Sequence, residues 1–249
     1  MAKEKTAYVC TECGYDSPKW AGRCPSCGTW NSMKEQVIRP AVADRRAAPG
    51  FTFEKARPLT LAEIATGEEP RIDMHDEELN RVLGGGLVPG SLILLGGEPG
   101  IGKSTLILQT ILRMPHQRVL YVSGEESARQ LKLRADRIQH SDNNCLIVCE
   151  TSLEKIYAHI KDTQPDIIVI DSIQTISTET AESSPGSIVQ IRECAASLLK
   201  FVKESNIPAI LIGHINKEGS IAGPKILEHI VDCVLQFEGD QHYMYRILR

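Results

Sequence analysis

The sequence predicts an α/β fold in which a mainly parallel sheet carries helices on both faces, preceded by a small cysteine-rich module. Three observations support this prediction. A glycine-rich octapeptide at Gly97–Ser104 lies between a short apolar run and a helix-compatible stretch. From Pro58 onward, strand-like and helix-like segments alternate, as they do in folds with a parallel sheet. Two Cys-x-x-Cys pairs fall within the first 35 residues.

The cysteine pairs are Cys10-x-x-Cys13 and Cys24-x-x-Cys27, which account for four of the eight cysteines. Two such pairs bring four thiolates to tetrahedral reach, the arrangement that Zn²⁺ prefers. Disulfide bonds and a redox pair are the alternatives. Nothing in the sequence indicates an oxidising compartment, and two redox pairs so close together would be unusual. We therefore predict a zinc ribbon over residues 1–35 whose metal supports the fold and performs no chemistry.

Aromatic and basic residues crowd this ribbon and allow two interpretations. The rings could stack on nucleic-acid bases, or they could pack the metal knuckles, and packing is preferred for the tryptophans. These residues are Tyr8, Tyr15, Lys19, Trp20, Arg23 and Trp30. Residues 36–57 contain Pro, Ala and Arg without periodicity and are predicted to form a linker.

The main domain, residues 58–249, reads as strands that alternate with helices. Short apolar runs bounded by polar residues predict the strands, and longer stretches with helix-compatible spacing predict the helices. The predicted strands lie at 91–95, 118–123, 145–149, 166–171, 209–213, 233–238 and 243–248. The predicted helices lie at 103–112, 126–138, 153–162 and 187–204. Ligands of such a sheet bind at the carboxyl ends of its strands.

The octapeptide fits G-x-x-x-x-G-K-[ST] at every fixed position and predicts a P-loop that binds ATP. Its glycines let backbone N–H groups point at an anion, and the helix that begins at Lys103 adds the positive end of its dipole. Lys103 is expected to reach the β- and γ-phosphates, and Ser104 to offer its hydroxyl to Mg²⁺. The predicted nucleotide-binding residues are Gly97, Glu98, Pro99, Gly100, Ile101, Gly102, Lys103, Ser104, Thr105 and His214.

Polar residues end further predicted strands, where a phosphate site needs them. Asp171 ends an apolar run and is predicted to order Mg²⁺, through a coordinated water. Glu125 follows a strand that is expected to lie near the P-loop and is preferred as the base that polarises the attacking water. Its neighbour Glu126 is the alternative base, or a carboxylate that starts a helix. His214 is predicted to sense the γ-phosphate, and a structural histidine is the alternative.

The segment that follows His214 combines small residues with Lys217 and Lys225. Small residues let backbone N–H groups approach phosphates, and the lysines supply charge, so Lys217 and Lys225 are predicted to contact DNA. The alternative is a flexible loop with solvated lysines.

The charge is unevenly distributed along the chain. Residues 1–57 hold ten Lys and Arg against six Asp and Glu, and the remainder holds eighteen Lys and Arg against twenty-six Asp and Glu. This asymmetry is compatible with nucleic-acid binding but too weak to prove it.

The composition bounds the class of protein. A chain of 249 residues that is 42% hydrophobic can bury a sizeable core. No apolar run approaches the roughly 18–20 residues of a membrane helix, and the charged N-terminus shows no secretory signal, so a soluble, cytoplasmic protein without membrane contact is expected. The cysteines outside the ribbon are predicted to be core residues; they are Cys145, Cys149, Cys194 and Cys233.

Together these motifs resemble the RadA (Sms) family of bacterial DNA-repair proteins, zinc-bearing relatives of RecA and of the DnaB-type helicases. The resemblance covers nearly the whole chain, and the pairing of the ribbon with the run Gly84–Gly90 is very specific. The matching stretches are Cys10–Cys27, Leu79–Gly90, the P-loop, Ser123–Ser127 and Gly213–Asp232. The resemblance implies a RecA-like core in a ring-forming, hexameric, helicase-like ATPase. Such a motor would act on single-stranded DNA and branched recombination intermediates, with the recombinase RecA as a further partner.

The resemblance also implies segments that this sequence lacks. The family follows its core with a Lys-Asn-Arg-Phe-Gly motif and a Lon-protease-like domain, and this sequence ends at Arg249, ahead of both. A fragment or an engineered piece that hydrolyses ATP poorly is therefore expected, because the basic residues of that motif are candidates for completing a neighbour's ATP site. Two rival functions stay open: a P-loop kinase, and an ATP-switched binding module that recruits a protein partner and has no motor activity on DNA.

Overall fold

The structure is a computed structural model and describes residues 5–10, 15–38, 58–63, 70–138, 144–214, 227–239 and 245–249. Cys13, Lys217 and Lys225 lie outside these residues, as does most of the predicted linker. Among the helices that are described, none has the length and apolar character needed to cross a bilayer.

The described part of the ribbon contains a small antiparallel sheet. Its strands are β1 (Lys5–Cys10), β2 (Asp16–Ser17) and β3 (Met33–Ile38), in the order β2-β1-β3. The pairing of Lys5 with Ile38 extends this sheet past residue 35, where the sequence placed the start of the linker. A turn between β2 and β3 is closed by backbone hydrogen bonds from Cys24 to the Thr29 carbonyl, 2.9 Å, and from Gly28 to the Cys24 carbonyl, 2.9 Å.

The main domain is built on a mostly parallel sheet, which confirms the predicted fold class. Its described strands are β4 (Leu92–Gly97), β5 (Val119–Ser123), β6 (Cys145–Cys149), β7 (Ile167–Asp171), β8 (Ala209–His214), β9 (Cys233–Gly239) and β10 (Arg246–Leu248). They lie in the order β10-β9-β4-β8-β7-β5-β6. The pairs within this set are parallel, apart from the antiparallel pair of β9 and β10.

The described α-helices are α1 (Glu77–Val82), α2 (Lys103–Leu112), α3 (Ala128–Ile138), α4 (Leu153–Thr163) and α5 (Ile188–Ser205). Helices α1, α4 and α5 each begin after a residue whose side chain satisfies a free backbone N–H group. Ser152 and Ser187 cap α4 and α5 by accepting hydrogen bonds from backbone N–H groups three residues ahead. The sequence did not predict α1, a short helix that Asp76 caps in the same way.

Apolar side chains cover both faces of the sheet, as the alternation of strands and helices predicted. On one face, residues of α4 and α5 such as Ile156 and Leu198 pack in a cluster with Ile168 of β7. On the other face, residues of α2 such as Ile107 pack in a cluster with Val169 of β7. Consecutive strand residues point to opposite faces, so each buried strand contributes to both clusters.

Strand β6 lies at an edge of the described sheet and is less buried than the sequence predicted. Leu146 and Ile147 are 40% and 37% exposed. Cys149 is exposed as well, so its prediction as a core residue is wrong, because an edge strand has a neighbour on one side only. Cys194 on α5 is fully buried, as predicted, and burial raises the pKa of its thiol to about 12.

Candidate active site

The P-loop connects β4 to α2 and is packed closely against the neighbouring strand β9. A Cβ atom at Gly97 would lie 2.5 Å from the carbonyl oxygen of Phe237, so no larger residue fits there. Pro99 and Gly100 form the exposed tip of the loop, and Ser104 and Thr105 lie in the first turn of α2. The predicted phosphate-binding residues therefore share one turn between a central strand and a helix N-terminus.

Lys103 is the most buried charged residue of the P-loop, with 3% of its surface exposed. Its Nζ donates to the carbonyl oxygens of Gly97, at 2.8 Å, and Glu98, at 2.9 Å. Burial lowers the pKa of the Lys103 ammonium, and the charges of Asp171 and Glu125 act in the opposite direction. A buried ammonium is costly without an anion beside it, so this pocket favours the binding of a negatively charged group.

His214 joins Lys103 to Glu125. Lys103 Nζ lies 3.3 Å from His214 Nδ1, and His214 Nε2 lies 3.1 Å from Glu125 Oε1. An ammonium can only donate and an ionised carboxylate can only accept, so this geometry fits the neutral imidazole with its proton on Nε2. His214 therefore contacts both the predicted phosphate-binding lysine and the predicted base.

Glu125 receives a second hydrogen bond on the same oxygen, from the hydroxyl of Ser172. Burial acts to raise the pKa of Glu125, but other contacts outweigh it. With His214 neutral, the lowering comes from the hydrogen bond of Ser172, that of His214 and the charge of Lys103, and the net effect lowers the pKa of Glu125. The carboxylate is thus ionised at neutral pH, the state that a general base requires.

Asp171, at the end of β7, is buried and oriented by Tyr121 of β5. The Tyr121 hydroxyl donates to Asp171 Oδ2 at 2.5 Å. Burial, followed by the charge of Asp171 and its hydrogen bond, raises the pKa of Tyr121, so the phenol remains a donor. The sequence analysis missed both Tyr121 and Ser172. A tyrosine inside an apolar strand was the available signal, because a buried hydroxyl needs a partner.

Glu126 points to a different partner from that of its neighbour Glu125. Its carboxylate forms an ion pair with Arg134 of α3, with a distance of 2.5 Å from Oε1 to Nη2. Its backbone N–H donates to the Ser123 hydroxyl at 3.0 Å. These contacts connect Glu126 to α3 and leave Glu125 as the carboxylate that contacts His214.

Glu125 comes near the P-loop without following a strand that neighbours it. The strand that precedes it, β5, is not next to the P-loop strand β4, because β8 and β7 lie between them. His214 at the end of β8 and Ser172 after β7 bridge this distance. Glu125 thus reaches the P-loop lysine through residues of the intervening strands.

The ribbon thiols have the geometry of a metal centre. The Sγ atoms of Cys10, Cys24 and Cys27 lie within 4.8 Å of one another, and those of Cys10 and Cys27 are 3.6 Å apart. Tetrahedral Zn–S bonds of about 2.3 Å place two sulfurs about 3.8 Å apart, whereas a disulfide bond measures about 2.05 Å. The described cysteines therefore fit Zn²⁺, and Cys13 lies outside the described residues.

The tryptophans of the ribbon are largely exposed and lie outside its described core, although both rings lie beside Gly22. Trp20 is 58% exposed and Trp30 is 70% exposed. The guanidinium of Arg23 lies over the Trp30 ring at 5.9 Å from its centroid, within the range of a cation–π contact. The ribbon thus presents aromatic surface on its outside.

Comparisons with known proteins agree with this geometry. A family model described as an AAA domain matches residues 60–220, which include the P-loop and all the side chains of the candidate active site. The chain belongs to this AAA-domain family. A second model, described as a rubredoxin metal-binding domain, matches residues 8–35 and thus contains the four ribbon cysteines.

Curated relatives extend the similarity along the whole chain. The DNA repair protein RadA of Bacillus subtilis is 50% identical over 252 aligned residues, covering 100% of this chain and 55% of the relative. RadA of Listeria monocytogenes is 49% identical, covering 100% of this chain and 54% of the relative. These matches confirm the resemblance to the RadA family. The chain spans about half the length of the curated relatives it matches.

A solved structure shows the same fold. A KaiC-like protein from Pyrococcus horikoshii superposes with a TM-score of 0.54 at 21% identity, covering 72% of this chain and 86% of the other. This likeness concerns the fold alone. It agrees with the predicted RecA-like P-loop core.

Proposed function

We propose that this chain is the ATP-hydrolysing core of a DNA-repair motor that acts on single-stranded DNA and on branched recombination intermediates. The observation that carries the proposal is the series of contacts from Lys103 through His214 to Glu125. It joins a phosphate-binding lysine to an ionised carboxylate at the carboxyl edge of the sheet. A site that hydrolyses a nucleoside triphosphate needs a cation on the phosphates and a group that orients the attacking water.

Lys103 and Glu125 have complementary roles in this proposal. Lys103 holds the β- and γ-phosphates, whose charge compensates its buried ammonium better than the neutral carbonyls of Gly97 and Glu98 do. Glu125 accepts two hydrogen bonds on Oε1, so Oε2 is the oxygen that can orient a water for attack. His214 contacts both residues and is placed to sense whether a γ-phosphate has bound.

Ser104 and Asp171 would hold Mg²⁺. A hydroxyl and a carboxylate are hard oxygen ligands of the type that Mg²⁺ prefers, and when bound the ion would stabilise charge on the phosphates. Tyr121 fixes one Asp171 oxygen, Oδ2, by its hydrogen bond. This contact orients the carboxylate in the same way that partners of metal ligands do in other sites.

The choice of DNA repair over the rival functions rests on the relatives and on Glu125. The curated relatives at about half identity carry the name DNA repair protein RadA. A carboxylate held for water favours hydrolysis over transfer to an acceptor, which a kinase would need. The proposal includes a cytoplasmic location, assembly into a hexameric ring and the recombinase RecA as a partner. It also includes the binding of single-stranded DNA, with Lys217 and Lys225 as the contacts.

The proposal is tested by two substitutions and a matched control, in a chain extended to the length of the relatives. Lys103→Ala should abolish tight ATP binding. Glu125→Gln should leave ATP binding intact and lower kcat by about 10²–10⁴-fold, because it removes only the base. Glu126→Gln is the control, since its carboxylate pairs with Arg134, and it should retain most of the activity.

Two outcomes would contradict these roles. Equal loss of ATP binding in Lys103→Ala and Glu125→Gln would show that Glu125 is not a base. A larger loss of kcat in Glu126→Gln than in Glu125→Gln would exchange the roles of the two glutamates.

Phosphate release measured with and without single-stranded DNA separates the motor from its rivals. Nucleotide binding with no affinity for DNA at any salt concentration would support a switched binding module instead.

A further inference from the structure

Strand β10 brings a cation to the P-loop that lies outside the P-loop motif. Nη1 of Arg246, the first residue of β10, lies 3.0 Å from the position that a Cβ atom would occupy at Gly102. Gly102 immediately precedes Lys103 and has a φ of 110°, which L side chains rarely adopt. A side chain at Gly102 would therefore be strained and would also crowd the guanidinium.

The register of the β9–β10 hairpin explains this position. Arg246 pairs with Gly239, and Leu248 pairs with Phe237. Arg246 and Leu248 point to the same face, since they are two residues apart, and Leu248 packs against the apolar cluster beneath α2. A Cβ at Gly239 would lie 2.7 Å from Cδ1 of Ile101, so the P-loop itself fills the space that a side chain at Gly239 would take.

Arg249, the residue that follows β10, serves as an internal comparison. It points to the opposite face from Arg246, because it is three residues further along. Its guanidinium pairs with Glu238 at 3.3 Å. Arg249 is thus paired with the hairpin, and Arg246 lies over the P-loop.

The charges around Arg246 indicate what it binds. The N-terminus of α2, which begins at Lys103 directly after Gly102, carries a positive partial charge. A guanidinium placed beside this helix end is repelled by it unless an anion lies between. The planar fork of arginine suits the oxygens of a phosphate.

We infer that Arg246 is a phosphate-binding residue of the nucleotide site, supplied by the same chain from the β9–β10 side of the P-loop. His214 and Glu125 approach from the other side, through β8 and beyond. The bound phosphate chain is thus contacted from both sides of β4. The inference rests on the proposed function, since it requires a nucleotide on the P-loop.

Calorimetric titration with ATP, ADP and pyrophosphate, each with Mg²⁺, tests this inference. Arg246→Ala should weaken the binding of all three ligands by about tenfold or more, because it removes a charge-assisted contact. Arg246→Lys keeps the charge without the fork and should fall between Arg246→Ala and the unchanged chain. Arg249→Ala is the matched control on the opposite face of the strand and should bind like the unchanged chain.

Each outcome decides between the proposals. Unchanged affinity of Arg246→Ala for the three ligands would overturn the inference while leaving the proposed function in place. Weaker binding of ATP and ADP with unchanged binding of pyrophosphate would also overturn it, because Arg246 would then contact the nucleoside. If the unchanged chain binds none of the three ligands, that result would instead contradict the proposed function itself.

Discussion

Two donors hold a single oxygen of Glu125, and this arrangement sets the protonation state of the proposed base. Ser172 and His214 both contact Oε1, and they come from different strands. Hydrogen bonds to the ionised form lower a carboxyl pKa, which here outweighs the effect of burial. The same contacts fix the side chain's orientation, so Ser172 acts as a positioning residue for Glu125.

Replacement of Ser172 by alanine should therefore shift the pH dependence of ATP hydrolysis. Loss of the donor destabilises the carboxylate, so the pKa of Glu125 rises and the base becomes protonated at a higher pH. The acidic limb of the kcat profile should move towards neutral pH, and kcat should fall several-fold with little change in KM. Steady-state kinetics across pH measure both effects.

A second serine provides the control for this prediction. Ser152 caps α4, and Ser152→Ala should cost about 1 kcal/mol of stability without moving the kcat profile. An acidic limb that stays in place in Ser172→Ala would show that Ser172 does not set the state of Glu125.

At the level of elements, the ribbon and the main sheet are stabilised by different means. The ribbon's described core consists of Cys10, Cys24 and Met33, with half-buried neighbours. The main sheet instead buries extensive apolar clusters on both faces. A core as small as that of the ribbon rarely supports folding without metal or disulfide bonds, so the metal is expected to supply its stability.

Cys24→Ser should consequently unfold the ribbon and leave the main sheet folded. Cys24 is buried, with 1% of its surface exposed, and a serine is a poor ligand for a soft metal site. Elemental analysis should show loss of bound zinc, and nucleotide binding should persist. The surface substitution Ser26→Ala, at an exposed position beside the knuckle, is the control and should retain zinc. Freshly purified protein without zinc would contradict the metal assignment.

Across the whole molecule, the order of the strands assembles the active site. The sheet order places β8 and β7 between β4 and β5. Lys103 follows β4, His214 ends β8, Ser172 follows β7 and Glu125 follows β5. Residues far apart in the sequence therefore meet along one edge of the sheet. The predicted DNA contacts Lys217 and Lys225 follow His214 in the sequence and lie outside the described residues.

A substitution in that segment tests whether the nucleotide site is connected to DNA. Phosphate contacts release counterions, so Lys225→Ala should weaken binding of single-stranded DNA to a similar degree for all sequences. It should also reduce the slope of log K against log salt by roughly one unit. The measurement is a titration of oligonucleotides across a salt series with an ATP analogue, in a chain long enough to form rings.

A matched lysine distinguishes a local contact from a general charge effect. Lys132, on the exposed face of α3, pairs with Asp136 at 2.5 Å, and Lys132→Ala should leave the slope unchanged. An unchanged slope in both Lys217→Ala and Lys225→Ala would move the DNA site elsewhere. The exposed Trp20 and Trp30 of the ribbon, beside Arg23, would then be the next surface to test.

Local signals in the sequence account for much of the fold and for the separate parts of the site. The helix α2 begins and ends where the sequence predicted, because the P-loop motif fixes its start. The P-loop, the cysteine pairs and Asp171 were identifiable because their chemistry requires particular residues at short spacings. Glu125 could be preferred over Glu126 from its position, but the reason for the preference lies in contacts that a sequence does not display.

Only the tertiary structure decided which of these parts touch one another. The sequence predicted strands but not their order, because parallel neighbours are joined by long crossovers that leave no local record of pairing. Ser172, Tyr121 and Arg246 therefore could not be assigned to the site in advance, since each acts through a partner on another strand. Burial followed the same rule: Cys149 of β6 was predicted to be a core residue, and the position of β6 at the edge of the described sheet exposes it.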